Sequence, residues 1–319
     1  MSVTTRPEVK QTPAGNKGPV KRAAGTSEGE RAERRLGWWL CAPAVIVMLL
    51  VTAYPIINAV YLSLQRSDLR FPDESAFIGI DNYVTVLTSS YWWHALWVTS
   101  VITIVSVAVE LVLGMALALV MHRTIWGRGW IRTAILVPYG IVTVVAAFSW
   151  AFAWTPGIGY LAAVLPDGSA PLTQTWSAIG LIILAEIWKT TPFMALLLLA
   201  GLALVPDELL NAAKMDGASA WERFTKVMLP LMKPAILVAL LFRTLDAFRV
   251  FDNIYILTQG NHNTGSVSIL GYDNLFTALN LGVGSAISVL IVFCVAAIAF
   301  TFIKLFGASA PGSDPAGRR

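Results

Sequence analysis

Apolar residues in this 319-residue chain do not alternate with polar ones; they gather in six long runs, about 36–64, 92–121, 130–154, 176–204, 229–251 and 281–306. A bilayer core of roughly 30 Å needs about 20 predominantly apolar residues per helix, and each run is long enough. The alternation of membrane barrels is absent. A helix satisfies its own backbone groups, so the pattern predicts an all-α membrane protein with six transmembrane helices. Residues 1–35 are rich in Gly, Pro, Lys, Arg and Glu and have little to bury, which predicts a disordered tail. That tail is too long and mixed for a signal peptide's n-region, and no small-residue cleavage site follows in the expected place. Residues 36–306 form the expected six-helix transmembrane domain, and 307–319 a short second tail.

Charge gives the topology a second test. Residues are 56% hydrophobic and 13% charged, whereas a soluble domain is nearer a quarter charged. The net charge of +4 is small; placement matters more, because Lys and Arg near span ends set orientation. The first tail holds Arg6, Lys10, Lys17, Lys21, Arg22, Arg31, Arg34 and Arg35. Arg123, Arg128 and Arg132 mark the next basic turn, and Lys214, Arg223, Lys226 and Lys233 a third. Loops 155–175 and 252–280 carry no Lys or Arg, and in loop 65–91 Arg66 and Arg70 are outnumbered by acids. This alternation predicts a multi-pass plasma-membrane protein with both termini and the third basic stretch in the cytoplasm.

Other chemistry is sparse. Cys41 and Cys294 lie far apart in apolar runs, predicting neither disulfide nor metal site. His94, His122 and His262 are isolated. GIGYLA (157–162) lacks the third glycine and the strand–helix setting of a nucleotide fingerprint, and no Walker A motif occurs. With no acid–base or metal cluster and no nucleic-acid feature, the chain is expected to be no enzyme.

One stretch interrupts the apolar pattern: ELLNAAKMDGASAWERFTKVMLPLMKP, residues 208–234. Pro206-Asp207 suits a helix start, since Pro fits the first turn and Asp complements the dipole. ELLNAAKM predicts two turns. Gly217 predicts a break, because glycine alone is unstrained at positive φ. SAWERFTKV predicts a second short helix before Pro230 opens the fifth span. Composition alone makes this elbow, 207–226, a solvated connector.

The order of its residues says more. Asn211-Ala212-Ala213, Asp216-Gly217-Ala218, Phe224 and Val227-x-Leu229-Pro230 resemble the EAA loop of ABC importer permeases, in motif and spacing; Asn211 stands where the family has glutamate. LDAFRVFDNIYILTQG resembles the family's F-x-x-F-D-x-I-Y-x-L-T-x-G segment, with Gly260-Asn261-His262 replacing its Gly-Gly-Pro ending. WKTTPFMALLLLAGLALVPDELL, TAYPI, RTAILVPYGIVTVV, AWTPGIGYLA and SVSILGYDNLF extend the likeness over nearly the whole chain, toward sugar permeases of trehalose importers. The resemblance implies a type I ABC importer permease fold and import of a disaccharide, trehalose, with another oligosaccharide as the alternative. It implies a heterodimer with a second permease, two nucleotide-binding ATPase subunits that hold ATP and magnesium, and an extracytoplasmic substrate-binding lipoprotein. No cofactor is implied on this chain. Within the 205–230 loop, Asn211, Ala212, Ala213, Asp216, Gly217, Ala218, Phe224 and Pro230 would couple to the ATPase. The rival class, an ion-driven secondary carrier, predicts uptake by the purified chain on an ion gradient alone.

Charges inside the spans remain. Each costs about 2.5–3.5 kcal/mol at a helix centre, so it faces a partner or a watery cavity. The fifth span carries Arg243, Asp246, Arg249 and Asp252, the fourth Glu186 and Lys189, the second Glu110. Residues three apart pair along a helix. Three residues also turn roughly 300°, so on one straight helix Arg243 and Asp252 end on opposite faces. Two readings stand level. The charges fix helix packing as internal ion pairs, or some of them, with Asn253 and Tyr255, line a sugar route, because sugars need hydrogen-bond partners for hydroxyls and aromatic faces for C–H patches. Arg243→Ala separates the two: a route residue costs transport more than accumulation, a packing residue costs both equally. Gly114 and Ala118 in the second span predict close helix packing.

Overall fold

The computed structural model describes residues 28–123, 127–166 and 168–306. The tails expected at 1–35 and 307–319 lie outside the described residues, except that residues 28–35 are helical and begin the first helix, α1 (Glu28–Ser63). Two compact units divide at Pro55/Ile56. The described part of the first is α1 alone, with Trp38, Trp39, Leu40 and Met48 all exposed, as suits a helix whose solvent is lipid.

In the second unit, short helix α2 (Asp81–Thr88) leads to α3 (Ser90–Arg123), which packs along α6 (Thr175–Leu202). Gly114 permits this contact: a Cβ there would lie 2.8 Å from Met194 Cγ. α6 in turn meets α9 (Leu229–Ala247) where Gly201 faces the Ala235 methyl group. Small residues let membrane helices approach closely, as expected for Gly114. Val107, Met115, Met194, Leu198 and Met232 fill the resulting core. Ile102, Ile179, Ile182 and Ile254 form a second, adjoining α10 (Asp252–Leu257). After α11 (Val267–Tyr272), α12 (Leu281–Phe306) closes the chain.

Among the described residues, five helices are long and apolar enough to cross a membrane, and a bent pair makes up to six. That pair is the expected third span. It is α4 (Arg128–Gly140) and α5 (Thr143–Ala153), turned 84° at the break. Apolar count cannot see this bend. Pro138 contributes no N–H and Gly140 stabilises helix poorly, so the helix stops at Ile141, which is extended at φ −73°, ψ 137°.

Strands β1 (Gln65–Arg66) and β2 (Ala76–Phe77) pair antiparallel between α1 and α2. The loop is clasped to α12's start by Leu69 N–H to Leu279 O (2.9 Å) and Gly282 N–H to Ser67 O (3.0 Å). Arg70 grips Asp68 through Nε (2.9 Å), Nη2 (2.5 Å) and its own N–H (2.9 Å). The Arg70 side chain, then its backbone N–H, pulls the Asp68 carboxyl down from 3.8 to about 2. A depressed carboxyl stabilises the folded loop above its ordinary pKa and loses that contribution as pH falls through the folded value. A carbon-13 titration of Asp68 should therefore find its midpoint near 2, and Arg70→Ala should return it toward 3.8.

Candidate functional site

The polar stretch folds as an elbow. α7 (Asp207–Met215) follows Pro206, with Asp207 and Glu208 in its first turn and Lys214 in its last, each suited to the dipole. It ends in a Schellman turn: Ala218 N–H reaches Ala213 O (3.0 Å), and Gly217 N–H reaches Lys214 O (3.2 Å). Gly217 sits at φ +82°, as its residue type predicts. Ser219 then caps the next helix in a capping box with Glu222, and Arg223 Nη1 donates back to Ala218 O at 2.7 Å.

The second elbow helix does not stop before Pro230. α8 (Ala220–Glu222) passes through a π-helical turn, Arg223–Met228, straight into α9. Pro230 has no N–H, and its ring would strike the preceding turn's carbonyl in a regular helix. The turn widens, and Leu229 N–H bonds Phe224 O, one residue further back than usual. Leu210 and Phe224 face inward and pack on the core formed by Leu202, Met228 and Met232. Asn211, Ala212, Asp216 and Gly217 are exposed, while Ala213 and Ala218 are half-buried. The elbow thus shows a polar outer face and is wedged into the bundle by its inner one.

The second constellation is buried. Arg243 is fully buried on α9 and reaches two other helices. It holds Glu110 of α3 through Nε (2.5 Å) and Nη2 (3.0 Å), and Glu186 of α6 through Nη2 (2.8 Å). Thr190 Oγ1 donates to Glu110 at 2.9 Å, and Asn253 of α10 donates to the other Glu186 oxygen. Nη1 reaches Asp246, whose side chain is 61% exposed. Glu110 and Glu186 are thereby hydrogen-bonded as well as paired, the condition under which buried charge is tolerated.

The straight-helix geometry expected for Arg243, Asp246, Arg249 and Asp252 does not hold, because α9 ends at Ala247 and α10 starts at Asp252. Arg249 and Val250 N–H bond three residues back, tightening the last turn, and Ser266 Oγ takes the Val250 carbonyl at 3.1 Å. The break turns Asp246, Arg249, Asp252 and Asn253 into one cavity of about 300 Å³, whose walls include Glu186 and Lys189. Arg243 lies behind that wall. Tyr255 stands apart from it, stacked on Phe251 at 5.2 Å within an aromatic cluster that continues to Tyr272 and Phe276.

Tyr139, Thr143, Thr190 and Phe251 also line the cavity, and sequence reasoning passed over them. Thr190 had a signal, since WKTTP puts two hydroxyls beside Lys189 inside an apolar run. Tyr139 and Thr143 had none, because only the α4–α5 bend delivers them.

The described residues thus combine an apolar bundle of span-length helices with a wedged, polar-faced elbow and a polar cavity at a broken helix. The chain belongs to the family of binding-protein-dependent transport system inner membrane components, whose model matches residues 110–310. It is a multi-pass transmembrane subunit and not an enzyme. It is 68% identical over 287 residues, 90% of this chain and 94% of the relative, to the trehalose transport system permease protein SugA of Mycobacterium tuberculosis. It is 38% identical over 286 residues (88% and 96%) to the trehalose/maltose transport system permease protein MalF of Thermococcus litoralis. A solved bacterial ABC transporter involved in import of the acidic polysaccharide alginate has the same fold: TM-score 0.76 at 22% identity, over 89% of this chain and 100% of that one.

Proposed function

We propose that this chain is one of two permease subunits of an ATP-driven importer for trehalose. The observation that carries the substrate is the likeness to two permeases named for trehalose, one at 68% identity and one at 38%. An extracytoplasmic binding lipoprotein delivers the sugar, and two nucleotide-binding subunits hold ATP and magnesium on the cytoplasmic side. Both termini and the elbow face those subunits, in keeping with the basic loops. Asn211, Ala212, Ala213, Asp216, Gly217 and Ala218 form the docking turn, with Phe224 and Pro230 fixing it to α9. ATP-driven closure of the nucleotide-binding pair shifts the elbow, and the bundle passes between inward- and outward-facing states.

The polar cavity is the route's section on this subunit. Asp246, Arg249, Asp252 and Asn253 offer sugar hydroxyls both donors and acceptors, Tyr255 extends the route beyond the cavity with an aromatic face stacked on the lining Phe251, and Glu186, Lys189 and Arg243 hold the wall. The test is reconstitution with the partner subunits and binding protein, followed by ATPase assays over a panel of disaccharides. Trehalose should stimulate hydrolysis most. Stimulation by another oligosaccharide alone reassigns the substrate, and uptake by this chain on an ion gradient without ATP overturns the class.

A further inference from the structure

Lys189 entered as a charge on a sugar route, yet its ammonium is occupied elsewhere. The chain turns at Ile141–Val142, where φ/ψ of −73°/137° and −57°/131° are extended rather than helical. Carbonyls on the α4 side of such a break lose the N–H groups that a continuing helix would supply, and inside a membrane no water replaces them. Lys189, on α6 and only 7% exposed, serves them. Its Nζ donates to Ile141 O (2.5 Å), Tyr139 O (3.0 Å) and Pro138 O (3.4 Å). A lysine ammonium has three donors, one for each of these three acceptors. The contact is supported on both sides: Tyr139 stacks on Phe193 of α6 at 5.3 Å, and Lys189 Nζ lies 5.6 Å from the Tyr139 ring centre.

We infer that Lys189 is a positioning residue that pins the α4–α5 bend to α6 through the main-chain carbonyls of Pro138, Tyr139 and Ile141. It acts on transport through backbone shape, by presenting Tyr139 and Thr143 to the cavity. This goes beyond the route proposed above and does not depend on which sugar passes. Pro138 fits the assignment, since it weakens the helix at the place where the lysine compensates.

The test measures the bend directly. Spin labels at Trp130→Cys and Phe152→Cys, both exposed sites on the two arms, are read by pulsed dipolar spectroscopy. The full chain sits in lipid nanodiscs, with Cys41 and Cys294 replaced by Ser. Two roughly perpendicular arms of these lengths put the labels roughly 20 Å apart, whereas a continuous helix would separate them by about 33 Å. Lys189→Met should lengthen or broaden that distance by several ångströms, and Lys189→Arg should largely restore it. A Met variant with the wild-type distance overturns the inference. So does an unchanged distance with a raised KM for sugar, which would return the ammonium to the route. Should Lys189→Met fail to accumulate, Lys189→Gln is read with the same labels. Its neutral amide has fewer donors than acceptors to serve, so a wild-type distance there overturns the inference and an intermediate one supports it.

Discussion

Arg243→Ala should leave little folded protein in the membrane, and uptake should fall in step with the amount that remains. The substitution empties a site where one guanidinium holds Glu110 and Glu186, both inside the bundle. Removing one partner of a buried ion pair costs about 3–5 kcal/mol, because the carboxylates keep their desolvation and lose their compensation. That is a large share of the roughly 5–15 kcal/mol that separates folded from unfolded chains. Thr190 and Asn253 retain their bonds to Glu110 and Glu186 but carry no charge, so they cannot replace the arginine. Quantitative immunoblotting of membranes beside uptake per molecule checks the expectation. Normal accumulation with uptake lost would move Arg243 out of the packing and onto the route.

Gly217→Pro carries the second large effect, and of the opposite kind. The protein should insert and accumulate, while transport and substrate-stimulated ATPase activity of the assembled importer both vanish. Proline fixes φ near −65°, and Gly217 sits at +82°. The substitution also deletes the N–H that bonds Lys214 O in the Schellman turn. α7 can then no longer reverse into the Ser219 cap, and the polar outer face loses its shape. Nothing within 4 Å would meet an added Cβ, so the damage is confined to backbone conformation at an exposed turn. Transport at the wild-type rate would remove the elbow from the coupling mechanism.

Most of this architecture is legible in the chain because membrane helices are specified by length and apolarity, and both are visible in a string of letters. The elbow was readable for a different reason: Pro206, Asp207 and Gly217 dictate local conformation with short-range chemistry, while the Ser219 capping box emerges only in the structure. What stayed hidden depended on contacts across the sequence. The 84° turn of the third span is set by Pro138 together with Lys189, some fifty residues later. At the break after Ala247, the Val250 carbonyl finds its donor in Ser266, sixteen residues further on. Straight-helix geometry put Arg243 and Asp252 on opposite faces; the break gathers Asp246, Arg249 and Asp252 around one cavity, whose lining does not include Arg243. The run through Pro230 was missed because a proline reads as a start, and a π turn lets a helix absorb it.

The pairing of Glu110 with Arg243 also sets a clock on how the protein is made. The two residues lie 133 positions apart. At roughly 5–20 residues per second of synthesis, on the order of ten seconds separate the carboxylate's appearance from that of its guanidinium. Through that interval Glu110 has no arginine partner, and a charge at a helix centre would cost about 2.5–3.5 kcal/mol. Compensation for Glu110 therefore comes from a helix made late in the chain, and the buried ion pair closes only once α9 has joined α3.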